Sequence, residues 1–213
     1  MEDFLDREAN TIRDKRLQFL AKENNMSVSD IEKMDDVQFS VINFTTEMAY
    51  DPEFSGLSDY DHYFPMIFRQ SLFLALYADC EKYLNYQCQE LQRMRNFSLS
   101  LKDLSGNGIT RARNYLTKVA QVNFPDGKEW QEIQSYGKLR NCFAHNDGEL
   151  TGLSESDAKF LKEYASKNPY LEVKEATVVF IEIKKGFCEE AIKVFDAFTV
   201  KLIRSCVEKR FET

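Results

Sequence analysis

The chain has 213 residues, is 43% hydrophobic, and sets 28 Lys/Arg against 35 Asp/Glu for a net charge of −7. That length and apolar content suit one core-bearing domain with an extension, and the eight glycines and four prolines argue against a loop-rich fold. The acidic balance excludes simple coating of nucleic acid, and five cysteines without a C-x-x-C pair exclude a disulfide framework or zinc ribbon.

In chain order, residues 2–24 read as a charged helix with sparse apolar positions at Phe4, Ile12, Leu17, Phe19 and Leu20. Ser27 or Ser29 can cap a second helix starting near Asp30, with Ile31, Met34, Val37, Val41 and Phe44 at helical spacing. The turn-rich segment 51–61 predicts a boundary between an acidic helical extension, 1–62, and a helical bundle, 63–213. The extension holds six Lys/Arg and 15 Asp/Glu. Its acids could imitate RNA and shield a basic surface, but Phe39, Val41 and Phe44 favour packing against the bundle.

Residues 63–95 give the longest helical signal, with Phe64, Ile67, Phe68, Leu72, Leu76, Tyr83, Leu84 and Leu91 on a broad 3.6-residue stripe. A loop with SGNG at 105–108 leads to a helix over 109–122, and Phe124-Pro125-Asp126-Gly127 is a turn. A further helix runs from Lys128 to about His145, with Trp130, Ile133, Leu139 and Phe143 inward, and Asn146-Asp147-Gly148 stops it. Ser154 to Lys167 is a short helix. The β-branched runs 170–173 and 177–183 predict a hairpin, and Phe187 to about Val207 forms the last helix, with Ile192, Phe195, Phe198, Leu202 and Val207 inward. The fold class expected is all-α: an up-down helical bundle with a small β-hairpin before its final helix.

The longest apolar stretch, Leu72 to Ala78, is far short of the roughly 20 residues of a membrane span. The acidic start, MEDFLDRE, lacks a signal peptide's basic region and apolar run, so a cytoplasmic protein with reduced, buried thiols is expected.

Charge is unevenly spread. Residues 91–145 carry nine Lys/Arg against four Asp/Glu, and this basic stretch ends at His145. The chain has two histidines; His62 lies in the linker, whereas His145 follows Arg140 and Asn141. On a helix Asn141 and His145 share a side, one turn apart, while Arg140 points about 140° away from His145. The group suits transesterification of an RNA phosphodiester. Imidazole transfers protons to or from the reacting oxygens, guanidinium grips phosphate oxygens, and the Asn141 amide orients His145 or bonds phosphate. One histidine does not easily serve as acid and base in one turnover, and a second copy of the chain would supply the other. Lys138, Arg111, Arg113 and Lys128 are the cations expected to bind the RNA backbone. No metal or cofactor is required.

The segment RNCFAH at 140–145 fits the R-x4-6-H motif of HEPN domains, with a polar residue directly after the arginine. The stretch LFLALYADCEKYLNYQCQEL resembles the first core helix of that superfamily, and LSLKDLSGNGITRARNYL and the run from Trp130 to Gly148 resemble its later ones. The resemblance covers roughly 63–207. It implies a helical bundle that dimerises and two motif helices meeting at a shared cleft. It implies a metal-independent endoribonuclease of toxin or phage-defence type, with an antitoxin or defence-system partner, or else a catalytically inactive RNA-, nucleotide-binding or dimerisation module. Arg140 and His145 would be the catalytic pair and Asn141 the auxiliary residue. Members silenced by a nucleotidyltransferase carry Tyr two residues after the histidine; Asp147 stands there, which puts that control in doubt.

Competing signals are weaker. Cys142 and His145 at i, i+3 invite a thiol nucleophile, but no oxyanion element accompanies them. Gly106-x-Gly108 lacks the third glycine of a dinucleotide fingerprint. Asp126, Glu129 and Glu132 read as surface acids rather than metal ligands. Glu81 either pairs with Arg140 or another base, or stands as an exposed helix charge.

Overall fold

The computed structural model describes residues 2–35, 38–39, 42, 64–175 and 178–211. The expected linker at 51–61, His62, the boundary at 62/63 and the positions Val37, Val41 and Phe44 lie outside the described residues. The chain divides into two compact units, residues 1–68 and 69–213.

In the first unit, α1 (Glu2–Glu23) buries Leu17, Leu20 and Ala21 with Ile31, and Met26, Val28, Met34 and Phe39 pack on that small core. Ser27 caps the one-turn helix α2 (Val28–Ile31). Its hydroxyl accepts from the Asp30 N–H at 3.1 Å, and the Asp30 carboxylate accepts from the Ser27 N–H at 3.3 Å. This reciprocal box satisfies two N–H groups that a helix start otherwise leaves unpaired.

The long helix is α3 (Phe64–Arg95). In the second unit it buries Phe73, Tyr77, Cys80, Leu84, Cys88 and Leu91 at helical spacing. The expected stripe is corrected at its start, since Phe64 and Ile67 are 47% and 53% exposed. A 3-10 turn (Leu101–Asp103) leads to α4 (Gly108–Asn114), which continues through a π turn (Tyr115–Val119). Helices α5 (Lys128–Asn146) and α6 (Glu155–Lys167) precede the strands β1 (Leu171–Glu175) and β2 (Val179–Ile183), and α7 (Phe187–Phe211) closes the chain. The architecture is a helical bundle with a two-stranded antiparallel hairpin before its last helix.

Aromatic rings join α3, α5 and α7. Phe73 meets Tyr136 at 5.7 Å and Phe187 at 5.2 Å, Tyr136 meets Phe195 at 5.6 Å, and Tyr77 meets Phe195 at 6.5 Å. Most are edge-to-face, the arrangement the ring quadrupole favours. On α7 the inward positions are Phe187, Ala191, Phe195, Phe198, Leu202 and Cys206. Ile192 and Val207, expected inward, are 46% and 39% exposed. Each lies one residue, about 100°, beyond a small inward residue, Ala191 or Cys206, which takes the buried place.

Glu172 stands opposite Glu182 in the hairpin register, and two lysines offset that repulsion. Lys174 lies 2.8 Å from Glu182, and Lys184 lies 3.3 Å from Glu172. The hairpin also holds the residues after α5. Leu150 N–H donates to the Val179 carbonyl at 2.8 Å, and Ile181 N–H donates to the Gly148 carbonyl at 2.9 Å. No described helix is long and apolar enough to cross a membrane.

Candidate functional site

Helix α5 carries a polar stripe at Gln134, Gly137, Lys138, Asn141 and His145, whose spacing of three and four residues puts them on one side. All five line a cleft of about 720 Å³, together with Arg140. Tyr77 and Glu81 of α3, and residues Asn107 to Thr110 where α4 begins, line the same cleft. Arg140 reaches the cleft despite its angular offset because its Nη1 donates to Asn141 Oδ1 at 3.0 Å, folding the fork back over the stripe. His145 is exposed, and its ring makes no hydrogen bond to another described residue.

The end of α5 is fixed by backbone geometry. Asp147 takes the left-handed conformation at φ 50°, Gly148 follows at φ +87°, and the Gly148 N–H donates to the Cys142 carbonyl at 3.3 Å. A Cβ on Gly148 would lie 2.9 Å from the Ile181 carbonyl oxygen and 3.0 Å from the Phe143 ring. Only glycine lets the chain turn there and pair at once with β2. The hairpin therefore fastens the chain just after the helix end that carries His145.

The four cations expected to hold RNA are not gathered together. Lys138 lines the cleft, but its ammonium pairs with Asp157 and sits 4.8 Å from the centre of the Phe160 ring. Arg113 forms a two-pronged pair with Asp126, at 2.8 and 2.6 Å, and lies 5.7 Å from the Phe124 ring centre. Arg111 is half-buried on α4 and does not line the cleft. Lys128 sits twelve residues before Arg140, about 18 Å along the helix axis, beside a different hollow.

Asp126, Glu129 and Glu132 have separate partners: Arg113, Lys201 at 2.7 Å, and the Tyr164 hydroxyl. Among the described residues no group of three or more His, Cys, Asp or Glu side chains is placed to hold a metal ion. Cys142 is buried, its thiol contacts the Glu149 carbonyl at 3.6 Å, and burial pushes that thiol up to about 11. A thiol so placed is a poor nucleophile.

Glu81 and Tyr77 complete the site. Among the described residues no ion pair joins Glu81 to Arg140. A Cβ on Gly108 would lie 3.4 Å from Glu81 Oε1, so the carboxylate borders the start of α4. Tyr77 is 6% exposed and its hydroxyl has no hydrogen-bond partner among the described residues. Burial first, then the nearby Glu81 and Cys80, push its phenol up to about 12, while Arg140 opposes them. The hydroxyl approaches α5 at Gly137, where a Cβ would lie only 2.8 Å from it. Sequence reasoning passed over Tyr77 and Gln134 as cleft residues. The signal available was the polar stripe on α5 with a glycine at its centre, which marks a face where another group comes close.

No protein-family model, curated protein or solved structure matches this chain.

Proposed function

We propose that this protein is a metal-independent endoribonuclease of toxin or phage-defence type, acting as a homodimer in which two copies contribute to a shared site. The observation that carries the reading is that Arg140, Asn141 and His145 line one cleft, with the Arg140 fork drawn onto the stripe by Asn141. The similarity of RNCFAH and its flanking helices to HEPN domains adds to it.

In the proposed reaction the ribose 2′-oxygen attacks phosphorus as an imidazole removes its proton. The bond from phosphorus to the 5′-oxygen breaks, and a second imidazole, from the partner copy's motif, protonates the leaving oxygen. Arg140 stabilises charge on the non-bridging oxygens. The products are a 2′,3′-cyclic phosphate and a 5′-hydroxyl. Purified protein should cleave single-stranded RNA in EDTA and leave that cyclic end. His145→Ala should slow cleavage by about 10²- to 10⁴-fold, the range one proton-transfer group supplies. Equal cleavage by wild type and variant would reject the site. RNA binding with no His145-dependent turnover would leave the inactive binding module instead.

A further inference from the structure

The side chains that α5 and α3 contribute to the cleft differ in chemistry. On α5, Arg140 and His145 present the groups that suit a phosphate. On α3, Glu81 presents two carboxylate oxygens and Tyr77, one turn before it, presents a hydroxyl. A bare carboxylate repels a phosphate, so the α3 side chains suit a different part of a nucleotide. Tyr77 is almost wholly buried, its hydroxyl has no partner among the described residues, and the hydroxyl lies at the cleft against Gly137. Burial and the Glu81 carboxylate both favour the protonated phenol, so it acts as a donor.

We propose that these α3 side chains read a guanine base: the Glu81 carboxylate accepts from the base N1–H and amino N–H, and the Tyr77 hydroxyl donates to O6. Guanine presents two adjacent N–H donors and then a carbonyl along its pairing edge, and two acceptors followed by a donor is the complement. Adenine, cytosine and uracil each put an acceptor or a single donor against the carboxylate, so each leaves at least one polar group of the contact unmatched. The inference rests on the ribonuclease reading of this cleft and gives it a substrate class, RNA with guanine at the scissile position.

The test titrates full-length protein with GMP, AMP, CMP, UMP and IMP, following binding by calorimetry. GMP should bind roughly 10- to 100-fold more tightly than AMP, CMP or UMP, the discrimination a two-pronged polar contact to a base supplies. IMP, which lacks the amino group, should fall between. Glu81→Gln should abolish the preference for GMP over IMP, and Tyr77→Phe should weaken GMP without affecting that preference. Circular dichroism of both variants establishes that they fold. Equal binding of the nucleotides, or an unchanged preference in Glu81→Gln, would overturn the proposal. Glu81-dependent preference for GMP without any RNA cleavage would leave the base site standing and reject the ribonuclease reading.

Discussion

Gly137 lies in the middle of α5, where alanine ordinarily favours the helix by about 1 kcal/mol. Here a Cβ would sit 2.8 Å from the Tyr77 hydroxyl and 3.6 Å from its ring carbon Cζ. The ring is buried against Phe195 and cannot swing away cheaply. Gly137→Ala should therefore destabilise the protein by about 1–3 kcal/mol, as overpacking does, and urea denaturation would measure it; a gain in stability would contradict the contact. The Arg113–Asp126 pair gives a pH-dependent counterpart. Hydrogen bonding to Arg113 holds the Asp126 carboxyl below its usual range. The stability it contributes is present above the unfolded-state value, near 3.9, and is lost as pH falls through the lower folded value. With side chains 35% and 49% exposed, the pair is worth no more than about 1 kcal/mol. Asp126→Asn should cost up to that amount at pH 7, and the difference from wild type should narrow in unfolding measurements as pH falls below the unfolded-state value. A difference that stayed constant down to pH 2 would assign the loss to something other than charge.

The helices and the hairpin were legible where local chemistry decides them. Asn146-Asp147-Gly148 ends α5 in left-handed backbone, Ser27 caps α2, and the β-branched run ahead of Lys184 forms β2. What local pattern could not convey is which neighbour each face meets. Ile192 and Val207 fit the inward periodicity of α7 as well as Ala191 and Cys206 do, and the core took the smaller pair. Lys138 and Arg113 read as free cations until folding brings Asp157 and Asp126 to them across 19 and 13 residues. The fastening of α5 to β2 is a tertiary fact of the same kind, and it makes Gly148 a residue of the site without chemistry of its own. Gly148→Ala combines a disfavoured left-handed backbone with a 2.9 Å approach to the Ile181 carbonyl. It should cost at least about 2 kcal/mol. It should also impair any activity that depends on His145 more than it lowers secondary structure by circular dichroism. An alanine variant as stable as wild type would show that the turn does not hold the helix end.

At the scale of the whole molecule, the linear charge count overstates the basic surface. The run 91–145 carries nine cations, yet Arg113, Lys138 and Arg93 are each matched by a carboxylate within 4 Å. What remains at the cleft is a small set of groups from α3 and α5, with Arg140 bonded to Asn141 and the His145 ring exposed. On the proposed reading, an acidic protein offers one phosphate-binding point without attracting nucleic acid over its whole surface. That is the division the proposed activity needs: weak general attraction and one productive geometry.

With two histidines in the chain, the ring resonances of His145 can be separated from those of His62 by comparison with His145→Ala. The direct measurement is an NMR titration of those resonances with an RNA oligonucleotide whose 2′-hydroxyls are replaced by hydrogen, which binds but cannot react. Binding of a phosphodiester between Arg140 and His145 predicts that the His145 ring signals move saturably, and that Arg140→Ala abolishes the movement. Signals of His145 that stay fixed while the oligonucleotide binds would contradict the account.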